Sequence, residues 1–148
     1  EPMLQVMENN PAIVACQPKI LSFSHPRQFD YAGAAGGFLD LLGFPFCRGR
    51  IFDTVEQDNG QYDTPCDVFW ASGACCLLRM NALREVGFLD QTFFAHMEEI
   101  DLQWRLLNRG YRVVSVPASL VRHDAGSTLQ QNAPHKVYLN HLNNLLAP

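Results

Sequence analysis

Three carboxylates fall within four residues at the start of a predicted helix. Glu98, Glu99 and Asp101 follow a stretch that holds the aromatic pair 93–94 and His96. Like charges close together on a partly buried surface raise the pKa of at least one carboxyl group. A carboxylate with a raised pKa is suited to act as a general base on a hydroxyl group. The acidic cluster is therefore the first candidate for a catalytic site.

The same cluster also has a purely structural explanation. Acidic side chains near a helix N-terminus complement the helix dipole, each by about 0.3–1 kcal/mol. Asp101 and Arg105 are four residues apart, which is the spacing of an ordinary ion pair on a helix surface. The residue types alone leave both interpretations open, although the aromatic approach and Trp104 favour a functional site.

The acidic cluster is predicted to begin a helix that runs from about Met97 to Asn108. Gly110 follows in the C-terminal capping position. Apolar residues recur along this helix at helical spacing and should face a core. They are Ile100, Leu102, Trp104, Leu106 and Leu107.

The rest of the chain alternates helices and strands, which predicts an α/β domain. Further helices are predicted at 2–8, 81–86 and 134–146, and strands at 13–17, 67–70, 74–78, 112–116 and 120–122. The last two strands are expected to bend at Pro117. The segment from Ser24 to Pro65 holds six glycines and many aromatic residues, and it predicts a long packed loop with a short helix around 38–42.

Composition and charge exclude several classes of function. With 148 residues, of which 47% are hydrophobic, the chain predicts a single domain over 1–148 with a real core. A net charge of −4 argues against a nucleic-acid partner. No apolar run approaches the roughly 20 residues that span a bilayer. Five irregularly spaced cysteines are interpreted as reduced thiols, which favours a cytosolic protein.

A series of short motifs can be followed in order from about Met3 to Leu146. It comprises WASGACCLLR at 70–79, VGFLD at 86–90, EEIDL at 98–102, Arg105, Gly110-Tyr111, Pro117, Ala118, Val121 and His123. In this order the motifs resemble family 2 of the inverting glycosyltransferases, which have the GT-A fold. The stretch 31–53 is similar to a subgroup common in Bacteroidetes-type bacteria.

The resemblance implies that Glu99 is the catalytic base. It corresponds to the second acid of a Glu-Asp pair, although the family more often has Asp there. The base removes a proton from an acceptor hydroxyl as its oxygen attacks the anomeric carbon, and the configuration inverts. Glu98 and Asp101 complete the expected catalytic group, and Asp101 with Arg105 is expected to support the start of the helix.

The resemblance also implies which residues bind the substrates and a metal ion. The expected substrate-binding residues are Trp70, Ser72, Gly73, Ala74, His96 and Arg105. His123 matches a position that helps to bind the divalent metal or the diphosphate in several relatives. Each of three residues also has a structural interpretation when it is considered alone. His96 fits an exposed loop, His123 fits a structural hydrogen bond, and Gly73 fits a tight bend between strands.

In the family that the motifs resemble, an Asp-x-Asp motif holds the metal, and it precedes the helix with which this chain opens. The present sequence contains no such motif. We therefore expect an α/β, partial GT-A fold, with a mixed sheet flanked by helices and the N-terminal nucleotide-binding units missing. Mg²⁺ or Mn²⁺ is expected in the full-length enzyme, and no bound metal in this fragment. We also expect that the fragment alone has no activity.

The resemblance further implies the partners of the chain. They are a nucleotide-sugar donor, a saccharide or lipid-linked acceptor, and the missing N-terminal half. The expected pathway is cell-envelope polysaccharide synthesis, and the expected location is the cytoplasm, including the inner face of the plasma membrane. The aromatic stretch 31–62 is expected to shape acceptor choice. An incomplete sheet would expose an edge and apolar surface, so self-association is expected.

Two other classes of function stay open from the residues. A metal-dependent hydrolase would need Glu98, Glu99, Asp101 and His123 to converge within metal-ligand range. A catalytically silent interaction module would share the fold without using Glu99.

Overall fold

The computed structural model describes residues 1–93, 96–124, 138, 142 and 143. Its helices are α1 (Pro2–Asn9), α2 (Met80–Val86) and α3 (Glu98–Asn108), and its strands are β1 (Ile13–Ser22), β2 (Gly37–Leu39), β3 (Pro45–Cys47), β4 (Arg50–Ile51), β5 (Thr54–Val55), β6 (Cys66–Asp67), β7 (Leu77–Leu78) and β8 (Arg112–His123). The predicted helix over 134–146 lies outside the described residues, apart from three helical positions at 138, 142 and 143.

A mixed sheet with the strand order β6-β8-β1-β7 forms the centre of the molecule. The two long strands, β1 and β8, are parallel, and the short strands β6 and β7 pair antiparallel at the outside. Strand β1 is buried along all but its last residue, because helices and loops cover it. Helix α1 packs on this sheet through Met7, and α2 and α3 pack on it around Val14. The expectation of a mixed sheet flanked by helices is confirmed.

Strand β8 is continuous, in contrast to the two strands predicted on either side of Pro117. Pro18 pairs with Val116, and Lys19 pairs with Leu120, so three residues bulge out of the ladder. A bulge accommodates the proline, which has no N–H to donate, without ending the strand.

The segment predicted as a long loop contains a second sheet, antiparallel, in the order β2-β3-β4-β5. The helix predicted around 38–42 is wrong, because its first residues form β2. Gly37 donates to the Trp70 carbonyl over 3.0 Å and accepts from the N–H groups of Phe69 and Trp70. Phe38 also stacks on Phe46, with ring centroids 5.7 Å apart. These distant partners hold the segment extended, and local sequence does not reveal them.

The two ends of the antiparallel sheet differ in their surroundings. The β3–β4 turn packs inward, where Gly49 lies against Phe29. The β2–β3 and β4–β5 turns lie together at the opposite end, because neighbouring strands run in opposite directions. Large apolar side chains are exposed on these two turns and beside them, and we call them the apolar tips. They are Leu41, Leu42, Phe44, Ile51 and Phe52.

The strands predicted at 67–70 and 74–78 are shorter than expected. Only 66–67 and 77–78 pair as strands, and the residues between them follow an irregular path. Helix α3 agrees closely with its prediction, and Ile100, Leu102 and Leu106 are buried. All five cysteines are free. Among the described helices, none has both the length and the apolar character needed to cross a bilayer.

Self-association stays a prediction. Strand β6 covers only two residues of β8, at Val114 and Ser115, so the described part of the chain places no strand beside the rest of that edge. Such an edge offers unpaired backbone groups.

Replacement of Gly37 by alanine is expected to destabilise the fold by more than about 3 kcal/mol. A Cβ atom there would lie 1.9 Å from the Trp70 ring, and neither the ring nor the strand can move away freely. Gly43→Ala is the matched control, since no atom lies within 4 Å of its Cβ position. Its positive φ of 82° should cost only about 1–2 kcal/mol. Urea unfolding of both variants tests this prediction, and an equal decrease in their free energies of unfolding would contradict it.

Candidate active site

The turn before α3 has an unusual backbone conformation. His96 and Met97 both have positive φ angles, 69° and 74°, which cost non-glycine residues of order 1–3 kcal/mol each. The side-chain amide of Asn143 donates to the His96 carbonyl over 2.7 Å, and Met97 is buried. These contacts hold the turn in place and so fix the direction in which α3 starts.

The acidic cluster at this helix start is partly shielded from solvent. Glu98 and Glu99 are half-buried, and one carboxylate oxygen of each is closed off from solvent without a hydrogen-bond partner among the described residues. Burial raises the pKa of Glu99 to about 7, and the charge of Glu98 contributes to the rise. Hydrogen bonds from the backbone N–H groups of Glu99 and Gly73 lower this pKa and offset part of the rise.

Gly73 brings an open stretch of backbone beside the Glu99 carboxyl group. A Cβ atom on Gly73 would lie 3.7 Å from Glu99 Oε1, and Gly73 itself is exposed. Its neighbour Ser72 is buried and donates its hydroxyl to the Ala32 carbonyl over 2.9 Å. The same hydroxyl accepts from the N–H of Ala74 over 3.2 Å. Of the three predicted site residues in this segment, Gly73 lies beside Glu99, and Ser72 and Ala74 flank it in the chain.

Two buried glutamines hold the irregular segment 70–73, and the sequence analysis did not identify them. Gln103 of α3 donates to the Ala71 carbonyl over 2.7 Å and accepts from the Ala71 N–H over 2.5 Å. Gln17 of β1 accepts from the Ser72 N–H over 2.8 Å and donates to the Gly33 carbonyl over 3.1 Å. For Gln103, the sequence gives one signal: it is a polar residue four positions after Glu99 and so lies on the same face of the helix.

Trp70 and Arg105, both predicted to bind substrate, make contacts within the protein. The indole N–H of Trp70 donates to the Phe38 carbonyl over 3.1 Å. Arg105 donates to Asp101 from two nitrogens and to the carbonyls of Val86, Gly87 and Phe88. Asp101 is buried in this ion pair, so the pair ties the start of α3 to the end of α2.

His123 lies at the end of β8, and its ring contacts a buried carboxylate. Its Nδ1 is 3.0 Å from Oδ1 of Asp30. In the tautomer with the proton on Nδ1, the Asp30 carboxylate accepts from the ring and Nε2 carries a lone pair. Within the described ranges, no three His, Cys, Asp or Glu residues lie close enough to hold a metal. The four-residue metal cluster that the hydrolase interpretation requires is therefore not found in this part of the chain.

Comparison with known proteins decides the family. A family model described as glycosyl transferase family group 2 matches residues 48–133, which is more than half of the chain. The chain belongs to this family. The matched range contains Gly73, the acidic cluster and His123, so the candidate active site lies in the part that defines the family 2 similarity.

Two bacterial relatives give the extent of the similarity. An N-acetylglucosaminyl-diphospho-decaprenol L-rhamnosyltransferase of Mycobacterium tuberculosis is 36% identical over 101 residues, which are 68% of this chain and 33% of that protein. A pre-mycofactocin glycosyltransferase of the same species is 33% identical over 154 residues, covering 87% of this chain and 32% of that protein. The chain thus spans about a third of the length of either relative.

A solved structure identifies the fold of this family 2 chain. The crystal structure of GalNAc-T7 with UDP, GalNAc and Mn²⁺ superimposes with a TM-score of 0.58 over 93% of this chain and 28% of that one. At 15% identity the likeness concerns the fold alone. The GT-A architecture expected from the sequence is confirmed.

The stability of the protein is expected to depend on pH through Glu99. Its pKa is about 7 in the folded chain and 4.5 in the unfolded chain, so between these values the folded state binds the extra proton. The free energy of unfolding should therefore fall as pH rises from about 4.5 to about 7, and level off above. Glu99→Gln removes this component, which amounts to roughly 1–3 kcal/mol.

Urea unfolding between pH 4 and 8 measures this difference between wild type and Glu99→Gln. The exposed Glu8→Gln serves as the control and should follow the wild type. A difference between wild type and Glu99→Gln that stays constant with pH would refute the assignment.

Gln103→Met is expected to destabilise the protein by about 2–4 kcal/mol. Methionine fills a similar volume but leaves both backbone groups of Ala71 buried without partners. Gln5→Met is the matched control, because Gln5 is exposed on α1 and its replacement should change stability by less than about 0.5 kcal/mol. Chemical unfolding checks both, and an unchanged stability for Gln103→Met would mean that the bonds to Ala71 contribute nothing.

Proposed function

We propose that this chain forms the acceptor-side part of a glycosyltransferase. The enzyme would move a sugar from a nucleotide-sugar donor to a hydroxyl group of a glycan or lipid-linked acceptor, with inversion. The observation that carries the proposal is the shielded Glu99 carboxyl group beside the exposed backbone of Gly73, in a chain of the glycosyl transferase family group 2.

Glu99 has the properties of a general base for this reaction. Its raised pKa is close to neutral, so a substantial fraction is ionised at physiological pH while the group still binds a proton effectively. Glu99 takes the proton from the acceptor hydroxyl as that oxygen bonds to the anomeric carbon. The bond from this carbon to the nucleoside diphosphate breaks on the opposite face.

The segment 72–74 is suited to lie beside the substrates. Its residues are small, and Gly73 leaves the backbone open next to the base. Of the other predicted residues, His96 lies on the turn that precedes the acidic cluster. Trp70, Asp101 and Arg105 are proposed to contribute by fixing this segment and the start of α3, through the bonds described above.

The acceptor class is proposed from the relatives. One of them is named for an acceptor in which a sugar is joined through a diphosphate to decaprenol. A lipid-linked saccharide is therefore the proposed acceptor here.

A divalent cation is compatible with the residues present at His123. With Nδ1 directed at Asp30, Nε2 is the nitrogen available for Mg²⁺ or Mn²⁺, and a carboxylate behind a ligating histidine is the usual supporting arrangement. The ion would stabilise the charge of the diphosphate leaving group. His123 would be one ligand, and the remaining ligands would come from outside the described residues.

The test is sugar transfer by the complete protein that carries this chain, with Mg²⁺ or Mn²⁺ and a panel of sugar nucleotides and lipid-linked acceptors. Glu99→Gln should lower kcat by at least about 100-fold, because it removes the base. Glu8→Gln, an exposed acid on α1, should leave kcat unchanged.

Three outcomes would count against the proposal or a part of it. Equal rates in Glu99→Gln and wild type would remove Glu99 from the role of base. Retention of the anomeric configuration would exclude the direct displacement. A properly folded wild type that consumes no donor from the panel would favour a catalytically silent module of the same fold.

A further inference from the structure

Arg50 on β4 carries a positive charge that has no ion-pair partner among the described residues. Its guanidinium carbon lies 3.9 Å from the centre of the Tyr31 ring, a cation–π contact that restricts the orientation of this planar group. Its Nε is buried without a hydrogen-bond partner, and none of the described acidic residues forms an ion pair with it. This buried nitrogen is out of a ligand's reach, but Arg50 as a whole is only half-buried, so the charge of its terminal nitrogens is the part that a ligand can meet.

Arg48, two residues earlier, provides a comparison within the same sheet. Its Nε and Nη2 both donate to the Ala35 carbonyl, over 3.2 and 2.6 Å. Arg48 therefore has a structural partner that accounts for its position. Among the described residues, Arg50 has the Tyr31 ring beneath it and no hydrogen-bond acceptor, so its two terminal nitrogens, and not the buried Nε, are left for a ligand.

Arg50 lies close to the candidate active site. Tyr31 directly precedes Ala32, whose carbonyl accepts the hydroxyl of Ser72. Across the antiparallel sheet, Arg50 pairs with Cys47, and Cys47 pairs with Gly37, which bridges Trp70. Two interstrand spacings correspond to roughly 10 Å between Gly37 and Arg50.

The apolar tips lie at the end of the antiparallel sheet opposite the β3–β4 turn, and Arg50 is the first residue of β4 after that turn. Ile51 and Phe52 follow Arg50 directly and are 68% and 89% exposed. Leu41 and Leu42 are exposed on the neighbouring turn at the same end of the sheet. Phe52 is two residues from Arg50, or roughly 7 Å along an extended chain. The backbone thus leads from the polar site across the strands to a fixed cation, and from there along β4 to an exposed apolar surface.

We propose that Arg50, stacked on Tyr31, binds a phosphate of a lipid-linked saccharide acceptor, and that the apolar tips contact its hydrocarbon chain. The proposal rests on the proposed function, because it places the sugar of that acceptor at Glu99 and Gly73. A planar guanidinium binds phosphate oxygens through two parallel hydrogen bonds. A nucleotide donor also carries a diphosphate, but the apolar tips beside Arg50 match a lipid and have no counterpart in a nucleotide.

The experiment measures binding to the 148-residue chain and needs no sugar transfer, so it does not depend on the outcome of the activity test. Farnesyl diphosphate, uridine diphosphate, inorganic diphosphate and farnesol are titrated separately, followed by amide chemical shifts. Farnesyl diphosphate should bind at least about 10-fold more tightly than uridine diphosphate or farnesol and shift the amides of Arg50 and Phe52. Arg50→Met should weaken this binding by about 10-fold or more.

Matched variants separate the contributions of charge, shape and apolar surface. Arg84→Met removes an exposed arginine from α2 and should leave binding unchanged. Phe52→Ser should weaken the binding of farnesyl diphosphate but not the binding of inorganic diphosphate. If the amide spectrum shows that Arg50→Met is unfolded, Arg50→Lys is measured in its place. The lysine variant should bind farnesyl diphosphate several-fold more weakly than the wild type, because lysine lacks the planar guanidinium.

Three results would overturn the proposal. The first is equal affinity for farnesyl diphosphate in the folded Arg50 variant and the wild type. The second is tighter, Arg50-dependent binding of uridine diphosphate, which would assign the cation to the donor. The third is equal binding of farnesol and farnesyl diphosphate, which would leave only an apolar contact.

Discussion

The hydrogen bonding between the parallel strands β1 and β8 is the constraint on which the rest of the molecule depends. It runs from the pair Ile13–Arg112 to the pair Ser22–His123. Helix α3 packs on β1 around Val14, and Gln17 extends from the same strand to hold Ser72. The last pair of the ladder sets the position of His123 beside Asp30. The acidic cluster, the glycine segment and the histidine are therefore all placed relative to one strand pair.

The candidate active site differs from this framework, because some of its buried polar atoms lack hydrogen-bond partners among the described residues. The buried amides of Gln17 and Gln103 have partners at both ends, as buried polar groups normally do. The shielded carboxylate oxygens of Glu98 and Glu99 have none among the described residues. The turn at His96 and Met97 adds unfavourable backbone angles next to them. Polar groups without partners among the described residues and local strain thus meet at the start of α3.

The sequence could predict features that depend on local pattern, but not those that depend on distant partners. Helix α3, its buried face and the glycine after it follow from helical spacing, and the acidic cluster was visible as three neighbouring carboxylates. The antiparallel sheet was mistaken for a loop because its strands are two or three residues long and are held by Trp70 and Phe69. Gln103 resembled any polar residue of a helix, since its partner Ala71 lies 32 positions away. The pairing of His123 with Asp30 spans 93 positions and leaves no local signal.

The long separation between β1 and β8 has a consequence for the way the molecule is formed. The paired strands are roughly 100 residues apart along the chain, so closing the ladder requires a large loss of chain entropy before any of its bonds is made. Contacts of such high sequence separation form slowly. During synthesis, which proceeds from the N-terminus, the apolar strand β1 emerges long before its partner does. The chain must therefore keep β1 from pairing elsewhere until β8 arrives.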